Sequence, residues 1–241
     1  MRAITLLTGA GVSAESGLGT FRDAGGLWSQ YDLADVATPQ GFARDPALVQ
    51  GFYNARRANM RAAAPNAAHA AIARLQRDWP RHCPGGSVTL ITQNIDDLHE
   101  RAGSPQVIHM HGQLARALCA ACGHRWDAPA EMQPTDRCPA CARTATRPDV
   151  VWFGEIPYHM DQIEAALSTA DLFVAIGTSG AVYPAAGFVS EAAAHGAATL
   201  EINLDPSDTA PAFDAHLHGP ATQTVPAWVA SLLDTPPPAT G

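Results

Sequence analysis

The chain has 241 residues, 46% of them hydrophobic, and a formal net charge of -8. That is enough apolar material for a sizeable core and too much for a disordered polypeptide. The acidic balance argues against a broad nucleic-acid or anionic-membrane surface, and no apolar run approaches the roughly 18–20 residues that span a bilayer.

"ITLLTGAG" reads as a strand running into a glycine turn, with "VSAESG" opening a short helix. Residues 17–38 lack periodicity and read as a long loop. Thr38-Pro39 and Asp45-Pro46 each pair an N-cap residue with proline at the first helical position. A helix is expected from Pro46 to about Ala63, and a second from Asn66 to Trp79. Strands follow at 87–92 and 106–109. Residues 112–149 change character, with four cysteines among scattered Pro and Arg. Strands at 171–177 and 198–203 flank an Ala-rich helix over about 184–195, and a last helix near 226–233 precedes a frayed "TPPPATG". This strand–helix alternation implies an α/β fold with a parallel sheet. The "AITLL" run is too short for a secretory h-region, so a cytoplasmic protein is expected.

Gly9, Gly11 and Ala14 fit G-x-G-x-x-(G/A) after a strand, a spacing that lets backbone approach a pyrophosphate. The acidic ribose partner expected about 20 residues on would fall in the long loop, which argues against a standard dehydrogenase half. Cys119-x-x-Cys122, fifteen intervening residues and Cys138-x-x-Cys141 match paired zinc knuckles. Four thiolates leave no open position, so the Zn2+ would be structural. A redox pair or two disulfides is the alternative, and Cys83 is left as an incidental thiol. A zinc ribbon could instead serve nucleic-acid binding, but residues 112–149 hold only a slight excess of arginine over acidic residues.

Several segments then align in order. "GAGVSAESGLGTFRDAGGLW" (9–28), "TQNIDDLHERAG" (92–103), "HMHG" (109–112), the paired Cys-x-x-Cys, "VVWFGE" (150–155), "GTSGAVYPAA" (177–186) and "INLDP" (202–206) resemble the sirtuins. "ATPQGFARDP" and "FYNARR" are similar to the bacterial, CobB-type class III members. The resemblance covers almost the whole chain. It implies a Rossmann-like large domain of residues 1–42, 80–111 and 150–241. A helical module (43–79) and a zinc ribbon (112–149) would form a small domain against it. The implied activity is NAD-dependent protein-lysine deacylation that releases nicotinamide and 2′-O-acyl-ADP-ribose.

The same resemblance implies the site. His111 would be the base that accepts a ribose proton, and a neutral imidazole suits that near neutral pH. Asn94 and Asp96 would order the ribose and hold the nicotinamide carboxamide; without the resemblance, Asp96 reads as a cap on the following helix. NAD contacts are implied for Gly9, Ala10, Gly11, Ser13, Ala14, Glu15, Thr20, Phe21, Arg22, Trp28, Gln93 and Ile95. They are also implied for Gly177, Thr178, Ser179, Asn203, Leu204, Asp205 and Ala221. Val151, Phe153, Gly154 and Glu155 would pair with the substrate backbone as a strand. His109 reads as a packed strand residue, and His99 as a helix residue without assigned chemistry. Acyl-lysine peptides and proteins are the expected partners of a monomer, with neither nucleic acid nor membrane.

Tyr53 and Arg56 lie three residues apart and share a helix face. In class III sirtuins such a Tyr-x-x-Arg pair recognises a negatively charged acyl chain, which would make succinyl- and malonyl-lysine substrates. Arg57, turned about 100° from Arg56, is expected on a solvated face. The competing readings are a deacetylase with little preference for acidic acyl groups and a mono-ADP-ribosyltransferase using the same NAD activation.

Overall fold

A computed structural model of the chain describes residues 1–19 and 31–234. Elements are numbered in chain order. Six strands, β1 (Ala3–Thr8), β2 (Ser87–Thr92), β3 (Ile108–His109), β7 (Leu172–Ile176), β8 (Ala198–Asn203) and β9 (Ala215–His218), form a sheet in the order β3-β2-β1-β7-β8-β9. Every pairing in it is parallel. β1 is buried on both faces, as its unbroken apolar run requires. From β1 the chain builds outward through β2 and β3, and then in the other direction through β7, β8 and β9. The order therefore reverses between β1 and β7, and the crevice outside their carboxyl ends is where such sheets bind ligands.

The long helices are α4 (Pro46–Ala62), which begins on the expected cap Asp45, and α5 (Ala67–His82), whose expected first residue Asn66 is its N-cap. Asp45 accepts the Leu48 amide at 2.9 Å, and Asn66 accepts that of Ala68 at 2.9 Å. Thr38 likewise caps α3 (Pro39–Arg44), after the single turn of α2 (Leu33–Val36). α5 runs past the expected stop at Trp79, carrying Pro80 inside it. α9 (Ala221–Leu233) similarly starts five residues before the expected Pro226. In both cases proline reads as a breaker from sequence, yet the packed face of the helix holds it in place. Ala68, Ile72, Leu75 and Trp79 of α5 join Ile4, Leu6 and Leu90 of the sheet and Val225, Trp228 and Val229 of α9 in one core. α5 thus packs with the large sheet, whereas the resemblance puts residues 43–79 in the small domain.

α7 (Met160–Thr169), the 3-10 turn Ala185–Gly187 and α8 (Phe188–Ala194) cover the other face of the sheet. Ile163 and Leu167, spaced four apart and both buried, are the sequence signal for α7.

A separate antiparallel sheet, β5-β4-β6, is built from β4 (Gly112–Cys119), β5 (Arg125–Asp127) and β6 (Thr146–Val150). Its core is shared with α4: Val49, Phe52, Tyr53 and Met60 pack with Leu114, Val150 and Trp152. Here one expectation is reversed. Arg57 does not face solvent but is fully buried, its Nε donating to the Leu114 carbonyl at 3.0 Å. Its other nitrogens reach Asn54 Oδ1 at 2.8 Å and the Met132 sulfur at 3.4 Å. Asn54 in turn exchanges two 2.9 Å hydrogen bonds with the Met132 backbone. The 100° rotation away from Arg56 carries Arg57 into the angle between α4 and the ribbon, because the ribbon covers that side of the helix. Burial pulls its guanidinium down to about 10, still cationic at neutral pH.

Replacing Arg57 with Ala should cost on the order of 3 kcal/mol, since it empties the site and removes the donor to the buried Leu114 carbonyl. The denaturant midpoint of the variant reads this directly.

Candidate active site

The glycine turn and the loop after β7 meet backbone to backbone. A Cβ at Gly9 would lie 2.7 Å from the Gly177 carbonyl oxygen, and one at Gly11 would lie 2.7 Å from the Gly177 Cα. Gly177 itself has φ +63°, and a Cβ there would fall 2.5 Å from the Val12 nitrogen. Side chains are therefore excluded first by the mutual approach of two strand ends, which also clears the crevice for a ligand's backbone contacts. The amides of Gly9 and Gly11 donate to Ile176 and Gly177 at 3.0 and 2.8 Å. α1 (Gly11–Ala14) follows at once, closely fixed to the end of β7.

Below this turn lies a directional network of buried polar groups. The Asn66 amide donates to His69 Nδ1 at 3.3 Å, so the His69 proton sits on Nε2 and points to Ser13 Oγ at 3.3 Å. Ser13, 2% exposed, passes its own proton to Asp96 Oδ2 at 3.1 Å. Asn94 Nδ2 bonds the Gly9 carbonyl at 3.0 Å and Ser13 Oγ at 3.3 Å. Asp96 Oδ1 takes the Leu98 amide at 3.1 Å at the start of α6 (Leu98–Arg101), so the helix-capping reading also holds. Burial raises the Asp96 pKa, and the Leu98 and Ser13 hydrogen bonds only partly offset it. Sequence reasoning missed His69, and it missed Thr8 and Thr92, which bond each other at 2.9 Å while Thr8 meets His99 Nε2 at 3.0 Å. Thr8 and Thr92 end adjacent strands, which is a sequence signal, whereas His69 sits in the first turn of α5 and carries none.

His111 follows β3. Its Nδ1 lies 3.0 Å from the Gln93 carbonyl, which assigns the proton there and leaves Nε2 as the basic atom. Burial lowers its pKa, and the Gln93 hydrogen bond opposes but does not cancel that. His109 is buried as expected, with Nε2 at 2.5 Å from Glu100 Oε1 and Nδ1 at 3.3 Å from the Asn94 carbonyl.

The other expected NAD contacts gather on the same sheet edge. Asn203 Nδ2 donates to the Thr178 carbonyl at 2.7 Å, and its Oδ1 takes the Leu204 amide at 3.2 Å. The Ser179 carbonyl accepts from Asp208 at 3.0 Å. Leu204 and Asp205 lie exposed beyond β8. Glu15 is already engaged by the amide and hydroxyl of Thr222, the residue after Ala221, and so caps α9. Ala10, Ala14, Gln93 and Ile95 flank the turn and the Asn94 loop. Thr20, Phe21, Arg22 and Trp28 lie outside the described residues.

On the α4 side, Tyr53 is 2% exposed, and its hydroxyl accepts the Trp152 indole N–H at 2.9 Å. The Arg56 guanidinium lies 5.9 Å from the Tyr53 ring centre. Burial raises the Tyr53 pKa and lowers that of Arg56, and each moderates the other, with Asp96 also favouring the Arg56 cation. Trp152 was not singled out from sequence. Arg147 stacks on it at 3.5 Å and grips Glu155 with two bonds of 2.6 and 2.8 Å. Glu155 also takes the Trp152 amide at 2.8 Å, so its carboxylate braces the segment. The Val151 and Phe153 amides donate to His111 and Ala37 at 2.9 Å each, and the segment leaves the ribbon sheet at Val150. Of the two residues open to a core reading, Phe153 stays 47% exposed while Val151 is half-buried.

In the ribbon, all four sulfurs of Cys119, Cys122, Cys138 and Cys141 lie within 4.8 Å of one another. The Cys119–Cys141 and Cys122–Cys138 pairs are each 3.7 Å apart. A tetrahedral zinc with Zn–S bonds of about 2.3 Å requires sulfur–sulfur edges of about 3.8 Å, so the donor set and its spacing fit zinc. The distances are far beyond a disulfide's, and Cys83 is buried as a free thiol.

Burial pushes His69 from 6.5 down to about 4. A proton on Nδ1 would also face the Asn66 N–H. Below pH 6.5 the unfolded chain takes a proton that the folded one refuses, so this stabilisation is complete above pH 6.5 and is lost as the pH falls toward 4. The loss reaches roughly 3 kcal/mol from this residue, and His99, also lowered by burial, adds in the same direction. The melting temperature should fall steadily from pH 7 to 5, and less steeply in His69→Gln.

Comparison with known proteins agrees with this geometry. A model of the Sir2 family matches residues 9–184. An NAD-dependent protein deacylase of Caulobacter vibrioides is 63% identical over 231 residues, covering 95% of this chain and 96% of that protein. A Sir2 homolog solved in complex with NAD is 40% identical, with a TM-score of 0.86 over 95% of this chain and 89% of that chain. A Sir2 protein solved with a deacetylated p53 peptide and 3′-O-acetyl ADP ribose is 26% identical, with a TM-score of 0.76 over 97% of this chain and 93% of that chain. With the match running from the first glycine of the turn to Pro184, beyond the loop that follows β7, this protein belongs to the Sir2 family, the sirtuins.

Proposed function

We propose that this sirtuin, an NAD-dependent protein-lysine deacylase, accepts acidic acyl groups such as succinyl and malonyl as well as acetyl. It would release 2′-O-acyl-ADP-ribose and act as a cytoplasmic monomer. NAD, the co-substrate, supplies an electrophilic ribose carbon once nicotinamide leaves. The chain's part is to hold, orient and move protons. The glycine turn, Thr178, Ser179 and Asn203 would hold the dinucleotide at the switch point of the sheet. Asn94 and Asp96, immobilised through Ser13 and Gly9, would order the ribose and the carboxamide. His111, neutral with a free electron pair on Nε2, would accept a ribose hydroxyl proton. The zinc ion would lock the ribbon as a structural element, with no open coordination position for chemistry.

The observation that carries the acyl preference is the juxtaposition of Tyr53 and Arg56 on α4, next to the Asn94–Asp96 loop. Because Trp152 donates to the Tyr53 oxygen, the tyrosine keeps its own proton to give to a guest. A guanidinium drawn from water by burial gains more from a carboxylate partner than a solvated one does. A charge-assisted contact of about 1.5–3 kcal/mol corresponds to roughly 10- to 150-fold in kcat/KM. The peptide backbone would be gripped near Val151–Glu155 through carbonyls and Gly154, since the amides of Val151, Trp152, Phe153 and Glu155 donate within the chain.

Arg56→Met should lower kcat/KM for a succinyl-lysine peptide at least tenfold more than for its acetyl counterpart; equal losses would remove the selectivity claim. His111→Tyr should abolish both activities. In the wild type, kcat/KM should fall as acidification protonates His111, with an inflection below 6.5 because burial lowers that pKa. ADP-ribosylated protein formed without acyl-lysine would favour the transferase reading instead.

A further inference from the structure

At the far edge of the parallel sheet, Glu201 of β8 lies opposite His216 of β9 in register, with His218 two residues further along. Residues i and i+2 of a strand share a face, so both imidazoles flank the one carboxylate. His216 Nδ1 lies 3.5 Å and His218 Nε2 3.6 Å from Glu201 Oε2, and the three ligand atoms are all within 4.8 Å of one another. Glu201 is 2% exposed, and its Oε2 is buried with no hydrogen-bond partner among the described residues. Its Oε1 is held by the Ser207 amide at 3.2 Å, which aims the other oxygen at the histidines. A buried carboxylate oxygen left unpaired is costly and calls for a cationic partner.

We propose that Glu201, His216 and His218 form a second metal site, for a divalent first-row transition ion of the Zn2+ class, distinct from the thiolate centre of the ribbon. Metal–nitrogen bonds of about 2.0–2.1 Å and metal–oxygen bonds of about 2.0–2.2 Å give tetrahedral ligand–ligand edges of about 3.4 Å. The two imidazole–carboxylate separations of 3.5 and 3.6 Å need to shrink by only one or two tenths of an ångström, and the two ring nitrogens already lie within 4.8 Å of each other. The two-imidazole, one-carboxylate set suits zinc, cobalt, nickel or copper and disfavours magnesium or calcium. The half-exposed rings give the ion an entry path, and solvent completes its coordination. An ion here ties β9, four exposed residues at the sheet edge, to the buried β8.

The test uses the full chain with its ribbon zinc in place. Equilibrated with Zn2+ and freed of excess ion, it should hold one more zinc per chain than the His216→Gln/His218→Gln double variant. Elemental analysis against protein concentration reads the difference. Zn2+ should raise the melting temperature of the wild type and leave that of the double variant unchanged. Co2+ added to the zinc-loaded wild type should give d–d absorption without thiolate charge transfer. Both histidines are partly exposed, so the double variant keeps the fold; Glu201→Gln, buried, serves as a confirming third. Equal zinc content in wild type and double variant, at one or at two per chain, would overturn the site.

Discussion

Everything in the cleft hangs on the contact of Gly9 and Gly11 with Gly177. Three residues from opposite ends of the chain bring two strand termini so close that their backbones touch, and each must lack a side chain for this to happen. The contact sets the depth of the crevice at the point where the sheet changes direction. It also fixes the Gly9 carbonyl, on which Asn94 hangs, and the start of α1, from which Ser13 reaches Asp96. An added methyl at any of the three would part β1 from β7 and disturb the glycine turn, the Asn94–Asp96 loop and the polar network together.

That network has a sense of direction. A backbone amide fixes one nitrogen of His69, the ring hands its proton toward Ser13, and Ser13 hands its own toward Asp96. Each hydrogen bond orients the next group, and the donors from Ser13 and Leu98 favour the charged form of Asp96, partly offsetting the rise in pKa that burial imposes. The preference of a buried imidazole for neutrality thereby fixes which way the hydrogen bonds run, and Ser13, Asn94 and Asp96 are held in one arrangement by the chain itself.

Much of this was legible from residue order. The caps at Thr38, Asp45 and Asn66, the parallel alternation and the cysteine spacing all rest on local rules, and local rules survive folding. The misreadings share a different cause. Pro80 and Pro226 are tolerated because tertiary packing outweighs their local cost. β9 escaped because it is only four residues long and exposed throughout, so its Ala-His-Leu-His alternation is too short to stand out. The role of Glu155 as a brace, the partnership of Trp152 with Tyr53 and the burial of Arg57 all depend on which distant segment covers a given side, and no periodicity encodes that. The strand expected at 87–92 is β2, which pairs with β1 across the long insertion, and Asn94 and Asp96 follow its end.

The two adjacent arginines of α4 show how finely a helix can divide labour. Arg56 looks toward the cleft and Arg57 is sunk against the ribbon, tied to Leu114, Asn54 and Met132. A slip of α4 by a single residue would exchange their surroundings, forcing one cation into a cavity shaped for the other. The buried arginine therefore acts as an index pin for helix rotation, and the ribbon that encloses it becomes the reference against which the Tyr53–Arg56 face of α4 is aligned. Variation in the ribbon's loop around Met132 would thus shift the seating of α4, and with it Tyr53 and Arg56, without altering either residue.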